Sequence, residues 1–423
     1  MRAMKDSGIA WIGEIPEEWK IVRNKNAFVC NKELVGKKSA LTQLLSLTTR
    51  GIKKKDINNA EGKLPESFDT YQFVKENDIV MCLFDLDCSA VFSGISPIDG
   101  MISPAYRVLS CKECMEPRYA DYWFRYISDG RKFNHFAKNI RYTLSYEEFS
   151  ALPLLLPKKV EQHRIADYLD RKCSQIDAII ARQQEVIEKL KAYKLSVITE
   201  AVTKGLNPHA PMKDSGVEWI GEIPEHWKVP KIKYLATIAS GGTPDRSHSE
   251  YWNGSINWAK TGELQNNELY ETEEKVTELA LENSSAKVFD VDTILVAMYG
   301  QGKTRGMTAL LKVPSATNQA CAGITVCSKD IIVSYLWLFL MGAYDALREK
   351  ANGSGQPNLS SALIADFYVT LPPLQEQANI CKTIAKRLPH IDEIIRQKEV
   401  IINKLIAYKK SLIYESATGK KEV

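Results

Sequence analysis

The chain has 423 residues, of which 44% are hydrophobic and 26% charged, an ordinary composition for a globular protein with two or three domains. Its net charge of +4 is too small to identify a nucleic-acid partner, so any DNA surface must come from local clusters. The nine scattered cysteines include one CxxC, Cys111–Cys114, without the second pair of a zinc site, so we expect no metal and reduced thiols in a cytoplasmic protein. The most apolar run, Tyr335–Ala343, is too short to span a bilayer and predicts a buried helix, so no membrane partner is expected.

A duplication organises the chain. Met4–Ile21 reads MKDSGIAWIGEIPEEWKI and Met212–Val229 reads MKDSGVEWIGEIPEHWKV, with four differences in eighteen positions. A second repeat, displaced by 215 residues, includes Glu161–Gln162 and Glu376–Gln377. A displacement this long excludes solenoids and propellers, whose units span about 20–50 residues. Two copies of a domain-plus-helix module are therefore predicted, divided as follows: 1–21 conserved segment, 22–157 first variable domain, 158–205 central long helix, 206–229 linker and second conserved segment, 230–372 second variable domain, and 373–423 C-terminal long helix.

The first variable region is predicted to be mixed α/β, with an apolar strand at Asp78–Leu83 and a helix at Tyr119–Ile127. A basic loop at Arg50–Lys55 and a cluster of basic and aromatic residues at 131–142 are typical of phosphate contact and base stacking. A solvated charged face is the alternative interpretation of such runs. The candidate DNA-binding residues of this region are Lys53, Lys54, Lys55, Arg141 and Tyr142.

Two long segments show the seam of a coiled-coil helix. Steps of three and four residues separate the seam positions from Ile165 to Val197, and the same positions recur from Ile380 to Leu412. Each helix should extend over roughly 40 residues, hence about 60 Å. So long an apolar stripe needs a partner. We predict that the two helices form an antiparallel coiled coil with each other; packing of each helix on its own globular domain is the alternative.

The second variable region is also predicted to be mixed α/β, with a strand at Thr293–Met298 and an apolar helical stretch at Ser334–Leu347. Its glycine-rich segments would allow backbone N–H groups to approach a phosphate closely. The Arg, Lys, Gln and Asn side chains in these segments are the types that recognise base edges. The candidate DNA-binding residues of this region are Thr243, Arg246, Lys260, Thr261, Lys303, Thr304, Arg305, Gln356 and Asn358.

Two motifs suggest enzymes. Ala297–Thr304 resembles a P-loop, but a P-loop must open a helix, whereas Met307–Val313 is predicted to be a strand. Pro244–Asp245 followed by Glu273–Lys275 imitates a nuclease pattern, although Pro-Asp after two glycines is a turn signal. We therefore expect no catalytic residues. The alternatives are ATP hydrolysis at Lys303–Thr304 and a coiled-coil scaffold that never contacts DNA.

The paired MKDSGxxWIGEIPExW motifs, the Glu-Gln pair at the start of each long segment and the twin helices resemble the specificity subunits of Type I restriction–modification enzymes. The second variable region also resembles a target-recognition domain of this family. The segments that carry this likeness are SGGTP (Ser240–Pro244), KTGEL (Lys260–Leu264), GQGKTRG (Gly300–Gly306) and GSGQPNLS (Gly353–Ser360). The first variable region lacks these glycine-rich loops.

This resemblance implies two target-recognition domains in a tandem pseudo-twofold arrangement, joined by the two long helices. Each domain would recognise one half of a bipartite site in double-stranded DNA, and the helix pair would set the length of the unread spacer. The chain itself would be non-catalytic and would direct two methyltransferase subunits, which methylate adenine N6, and the restriction/translocase subunits. S-adenosylmethionine, ATP and magnesium are then expected on those partner subunits, and no cofactor is expected on this chain.

Overall fold

The computed structural model describes residues 2–49, 51–56, 65–86, 92–129, 143–300, 302–351 and 358–423. The chain forms two compact units: unit 1 comprises Met1–Gln183 and Glu399–Val423, and unit 2 comprises Gln184–Lys398. The two boundaries are 215 residues apart, which is the displacement of the second sequence repeat. Each unit therefore combines one variable region with the first half of one long helix and the second half of the other.

Unit 1 contains a four-stranded antiparallel sheet with the order β4-β11-β8-β9, together with the two-stranded pairs β1-β2, β3-β12, β5-β6 and β7-β10. Its strands are β1 (Met4–Asp6), β2 (Glu14–Pro16), β3 (Lys20–Arg23), β4 (Phe28–Asn31), β5 (Leu45–Thr48), β6 (Gly51–Lys54), β7 (Gln72–Val74), β8 (Ile79–Met81), β9 (Ser93–Ile95), β10 (Gly100–Ile102), β11 (Arg107–Cys111) and β12 (Pro153–Leu156). Its helices are α1 (Asn24–Ala27), a 3-10 helix (Gly36–Leu41), α2 (Pro117–Ser128), α3 (Tyr146–Ala151) and the first half of α4 (Lys159–Lys204). The predicted strand and helix of this region are found as β8 and α2, and both contribute to its hydrophobic core.

Unit 2 contains a five-stranded sheet, β15-β23-β20-β21-β17, a four-stranded sheet, β18-β16-β22-β19, and the pair β13-β14. Its strands are β13 (Met212–Asp214), β14 (Glu222–Pro224), β15 (Ala236–Ser240), β16 (Trp252–Ala259), β17 (Asn267–Leu269), β18 (Glu274–Val276), β19 (Val288–Phe289), β20 (Ile294–Ala297), β21 (Thr308–Leu311), β22 (Ser315–Thr317) and β23 (Cys321–Val326). Its helices are α5 (Glu278–Glu282), α6 (Val333–Gly342), α7 (Tyr344–Glu349), α8 (Ser361–Ala365), the first half of α9 (Leu374–Ala417), and 3-10 helices at Ile232–Tyr234, Ser249–Tyr251 and Thr261–Glu263. β20 is buried at every position and central in its sheet, as its uninterrupted apolar sequence predicts.

The predicted helical stretch Ser334–Leu347 forms two helices, α6 and α7. α6 ends at Gly342, and α7 begins after Ala343, whose backbone is non-helical (φ −85°, ψ 8°). Close packing accompanies this break, because a Cβ at Gly342 would lie 3.2 Å from the backbone of Thr199 on α4. The predicted helical stretch is therefore confirmed, with a break that the sequence did not predict, and most of its apolar residues are buried as expected.

The duplicated motif anchors the start of each long helix. In unit 1 the Trp19 indole Nε1 donates to Glu161 at 3.1 Å, and in unit 2 the Trp227 indole donates to Glu376 at 3.0 Å. Both tryptophans are buried. The Glu of each repeated Glu-Gln pair thus accepts from a tryptophan of the repeated motif, which explains why the two repeats occur together.

The Gln of each pair is buried and fully hydrogen-bonded. In unit 2, Gln377 accepts from the Ile332 amide at 2.8 Å and donates to the carbonyls of Asp330 and Pro372, both at 2.8 Å. In unit 1, Gln162 makes the equivalent contacts. These are acceptance from the Glu116 amide at 2.8 Å and donation to the carbonyls of Cys114 and Pro157 at 2.9 Å. Each Gln therefore fixes the segment that precedes α2 or α6 to the N-terminal turn of a long helix.

The long helices have 46 and 44 residues, somewhat more than the sequence predicts. In unit 1 the Lys409 ammonium pairs with Asp177, while Lys421, just beyond α9, lies over the ring of Tyr168. From Tyr168 to Asp177 the residue numbers rise along α4, whereas those of the partner residues fall from Lys421 to Lys409. The first half of α4 and the second half of α9 are therefore antiparallel in this unit.

The same arrangement holds in unit 2. There, Lys194 pairs with Asp392 at 2.7 Å, and the Val202 carbonyl accepts from Thr370, just before α9, at 2.6 Å. The antiparallel pairing is thus confirmed within each unit. Among the described residues, no helix combines the length and the apolar character needed to cross a bilayer.

Candidate nucleic-acid interface

The candidate residues of unit 2 follow strands whose carboxyl ends meet at one edge. β15 and β20 both pair antiparallel with β23 and therefore run in the same direction, and β16 is parallel to β22. The Gly242 amide after β15 donates to Thr317 at the end of β22 at 2.8 Å, and the Asn318 amide donates to Ala259 at the end of β16 at 3.3 Å. The ends of β15, β16 and β22 are thus joined by main-chain hydrogen bonds.

The end of β20 joins the same edge through two serines. The Ser361 hydroxyl lies 3.1 Å from the Ser240 hydroxyl at the end of β15 and donates to the Met298 sulfur at 3.8 Å. The Leu359 amide donates to the Met298 carbonyl at 3.0 Å, which places half-buried Asn358 beside this edge. Loops that are far apart in sequence are thereby assembled into one surface; Gln356 lies outside the described residues.

Gly241 and Gly242 are required for packing, which differs from the phosphate-binding role expected of them. A Cβ at Gly241 would lie 2.1 Å from the Thr317 carbonyl, and one at Gly242 would lie 2.4 Å from the backbone of Ser285. Their amides already donate to the carbonyls of Cys321 and Thr317. The glycine-rich segments were expected to bring N–H groups close to a phosphate, but the N–H groups of Gly241 and Gly242 are engaged by carbonyls of the protein itself. Thr243, which follows them, donates its hydroxyl to the side-chain oxygen of exposed Gln319.

Arg246 and Lys260 are held together by one carboxylate. The Arg246 guanidinium lies 4.2 Å from the ring centroid of Trp252 and donates to Glu274 at 2.8 Å. The Lys260 ammonium donates to the other Glu274 oxygen at 2.9 Å and to Glu273 at 2.8 Å. Hydrogen bonds from Lys260 and Arg246 hold the pKa of Glu274 below its ordinary value. The two cations are therefore held in fixed positions, and part of their charge is neutralised by the carboxylates.

The pairing of β16 with β18 brings Glu274 to this place, because Trp258 lies opposite Glu274 in their register. The sequence placed Glu273 and Glu274 only in a nuclease-like pattern, and it did not predict a role for Gln319. Thr261 begins the 3-10 helix next to Lys260 and is half-buried. Within the described residues, no cluster of three His, Cys, Asp or Glu side chains is arranged to hold a metal ion.

Lys303, Thr304 and Arg305 lie in the turn between β20 and β21. The Lys303 side chain is 86% exposed, and its ammonium lies 3.9 Å from Glu188 of α4. β20 returns directly into antiparallel β21, so no helix follows the P-loop-like segment. The predicted strand within Met307–Val313 is confirmed as β21, in the place where a P-loop would be followed by a helix.

The basic loop of unit 1 forms part of the β5-β6 hairpin. Lys53 and Lys54 are exposed, and the Lys55 amide donates to the Leu44 carbonyl at 2.8 Å. Leu41, at the end of the neighbouring 3-10 helix, is 93% exposed. Of the candidate DNA-binding residues predicted for the first variable region, Lys53, Lys54 and Lys55 of this hairpin lie among the described residues. The other candidates of this region, Arg141 and Tyr142, lie outside the described residues.

Comparison with known proteins confirms the predicted family resemblance. Residues 224–405 match the family described as Type I restriction modification DNA specificity domain. The Type I restriction enzyme MjaIX specificity subunit of Methanocaldococcus jannaschii is 32% identical over 188 residues, which cover 43% of this chain and 41% of that protein. The putative type I restriction enzyme MjaX specificity subunit of the same organism is 24% identical over 97% of this chain and 95% of its own length.

A solved structure has the same fold. It comes from work described as the structural basis of complex assembly and conformational transition of the type I R-M system. The TM-score is 0.69 at 13% identity, and the match covers 96% of this chain and 99% of that chain.

Proposed function

We propose that this chain is the DNA specificity subunit of a Type I restriction–modification complex, because residues 224–405 match the family described as Type I restriction modification DNA specificity domain. Each unit recognises one half of a bipartite site in double-stranded DNA. The observation that carries the proposal is the duplicated frame, in which Trp19–Glu161 and Trp227–Glu376 hold two different variable regions in the same manner. A constant scaffold with two dissimilar recognition regions suits a site made of two dissimilar halves.

The chain acts without chemistry of its own. It directs methyltransferase subunits, which carry S-adenosylmethionine and methylate adenine N6, and restriction/translocase subunits, which carry ATP and magnesium. Two methyltransferase subunits suit a scaffold whose frame occurs twice. The proposed role of recognition without catalysis is supported by the described surface of unit 2, where cationic and amide side chains such as Arg246, Lys303 and Gln319 are prominent.

Recognition combines two kinds of contact. Lys303, Arg305 and the basic hairpin of unit 1 bind phosphates, which sets the position of the chain on the duplex without reading sequence. Arg246, Gln319 and Asn358 are side chains suited to hydrogen-bonding base edges in the major groove. Glu274 holds Arg246 in place while it is unbound, so less conformational entropy is lost when the guanidinium engages a base.

The long helices set the spacing of the two half-sites. At 1.5 Å per residue, a 46-residue helix is about 69 Å long. Deleting one heptad from both helices should change the number of unread base pairs between the half-sites or abolish assembly. If the same spacer is still used by such a variant, the helices do not measure it.

The decisive experiment is to express the chain with its neighbouring methyltransferase gene and to map methylated adenines across a genome. A bipartite motif is expected. Replacing Lys303 and Arg305 together by alanine should weaken DNA binding through unit 2 and lower its salt dependence, because the phosphate contacts proposed for these side chains are lost. The matched variant in unit 1, Lys53→Ala with Lys54→Ala, should weaken binding through that unit. An uninterrupted methylation motif, or the absence of methylation, would refute the proposal.

A further inference from the structure

A tyrosine and an arginine, one helical turn apart on α7, hold the Lys303 turn by its backbone. Arg348 Nη2 donates to the Gly302 carbonyl at 2.8 Å, and Nη1 donates to the Arg305 carbonyl at 2.9 Å. The Tyr344 hydroxyl donates to the Lys303 carbonyl at 2.6 Å and accepts from Arg348 Nη1 at 2.8 Å. Three carbonyls of this short turn are therefore tied to the side chains of one helix.

The turn is also packed tightly against the same pair. Gly306 has a positive φ of 86°, and a Cβ there would lie 3.1 Å from Arg348 Cγ and 3.5 Å from the ring of Tyr344. The Gly306 amide donates to the Ala297 carbonyl at 2.8 Å, which closes the hairpin. Because these bonds use main-chain atoms, the conformation of the turn is fixed while the Lys303 side chain is left in solvent.

Arg348 also adds charge at this place. Within the described parts of the chain it forms no ion pair, since its hydrogen bonds go to carbonyls and to a hydroxyl. The positive charge therefore adds to those of Lys303 and Arg305. Glu188 lies 3.9 Å from the Lys303 ammonium on an exposed surface, a contact weak enough to be exchanged for a phosphate.

We propose that Arg348 and Tyr344 are positioning residues, which fix the turn in its DNA-binding conformation before DNA arrives and act through Lys303 and Arg305. The inference rests on the proposed function and adds two residues that sequence reasoning did not find. A flexible turn would lose conformational freedom on binding, whereas this turn is already ordered, so its contacts form at a smaller entropic cost.

Two conservative variants separate positioning from charge and from general stability. Arg348→Lys keeps the positive charge but cannot donate to two carbonyls as a planar fork. Tyr344→Phe keeps the ring and removes only the hydroxyl. Arg118→Lys is the matched control, because Arg118 of unit 1 also makes several hydrogen bonds, to Asp167, Asp170 and Glu116.

The test measures affinity by fluorescence anisotropy for the complex of the full chain with its methyltransferase subunits, on a duplex that carries the mapped site. Arg348→Lys should raise Kd about tenfold and Tyr344→Phe about fivefold, since hydrogen bonds of a charged group contribute more than those of a neutral hydroxyl. In a chain that already carries Lys303→Ala and Arg305→Ala, the same substitutions should change Kd less than about twofold, because the groups they position are gone.

Affinities equal to those of the unsubstituted complex, or effects that add fully to the alanine pair, would overturn the positioning role and leave the proposed function intact. Equal losses in Arg118→Lys against the unit 2 half-site would also overturn it, since they would indicate general destabilisation. If the unsubstituted complex does not distinguish its site from other DNA, both this inference and the proposed function fail.

Discussion

Replacing Gln377 by methionine should locally destabilise unit 2. Methionine is an unbranched side chain of similar length, so it fills the site without a large cavity. It cannot accept from the Ile332 amide or donate to the carbonyls of Asp330 and Pro372. Three main-chain groups would then lack the partner that Gln377 supplies, at a place where the Gln side chain has no exposed surface.

The expected cost follows from these three bonds. Each contributes about 1 kcal/mol net, and a buried group left unsatisfied costs about 1–3 kcal/mol. Since water enters some of the vacated positions, we expect a total of about 3–6 kcal/mol, which corresponds to opening that is about 10²- to 10⁴-fold more frequent. The effect should be confined to the segment before α6 and the first turns of α9.

Hydrogen–deuterium exchange with peptide mass spectrometry measures this opening locally, which matters because a chain with two units need not unfold in one step. Gln375→Met is the matched control, since Gln375 is exposed and has one weak contact, 3.4 Å to Asn379. Gln162→Met should produce the equivalent change in unit 1 only. If Gln377→Met and Gln375→Met exchange at the same rates, the Gln does not hold the frame together.

Three further results are expected. In thermal unfolding, Gly419→Ala should lower the stability most, Gly205→Ala less and Gly216→Ala least. All three glycines have positive φ, but an added Cβ at Gly419 would lie 2.4 Å from Pro16, one at Gly205 would lie 3.1 Å from Trp227, and one at Gly216 would have no neighbour within 4 Å. Equal losses of stability in the three variants would contradict this order. Burial raises the pKa of the Cys111 and Cys321 thiols to about 12, so little thiolate forms at mildly alkaline pH. Iodoacetamide should therefore label Cys114 and Cys327, which are exposed, well before those two; the reverse order in a peptide map would be inconsistent with their burial. The exposed pair Lys409–Asp177 should show a coupling of only about 0.2–1 kcal/mol in a double-mutant cycle, and a value several times larger would mean that the pair is shielded from solvent.

The architecture was accessible from the sequence wherever a pattern was long. An apolar seam that repeats over many helical turns is consistent with few structures other than a long helix, so both long helices were predicted correctly. The apolar runs at β8 and β20 were also identified as strands. The helix α9 continues through Pro389, which local rules would treat as a helix end. Burial of Ile391 and Ile395 on the same helix shows that tertiary contact outweighs the lost hydrogen bond there.

The details of the candidate interface were less accessible. Sequence does not distinguish a glycine needed for close packing from one that approaches a phosphate, so the packing role of Gly241 and Gly242 was not predicted. Sequence alone gave no means of placing Arg246 and Lys260 on a shared Glu274, because that contact depends on the register of β16 with β18. The contribution of α7 to the Lys303 turn was missed for the same reason, since it joins segments about forty residues apart.

The division of the long helices between the units has a consequence for biosynthesis. Unit 2 is one continuous stretch, Gln184–Lys398, whereas unit 1 needs Glu399–Val423 to complete its core with residues such as Leu412 and Ala417. At about 5–20 residues per second, the ribosome needs roughly 10–40 seconds to add the intervening segment. The domain whose synthesis starts first is thus the one that finishes folding last, because part of the core around the first half of α4 is supplied only by the residues that are added last.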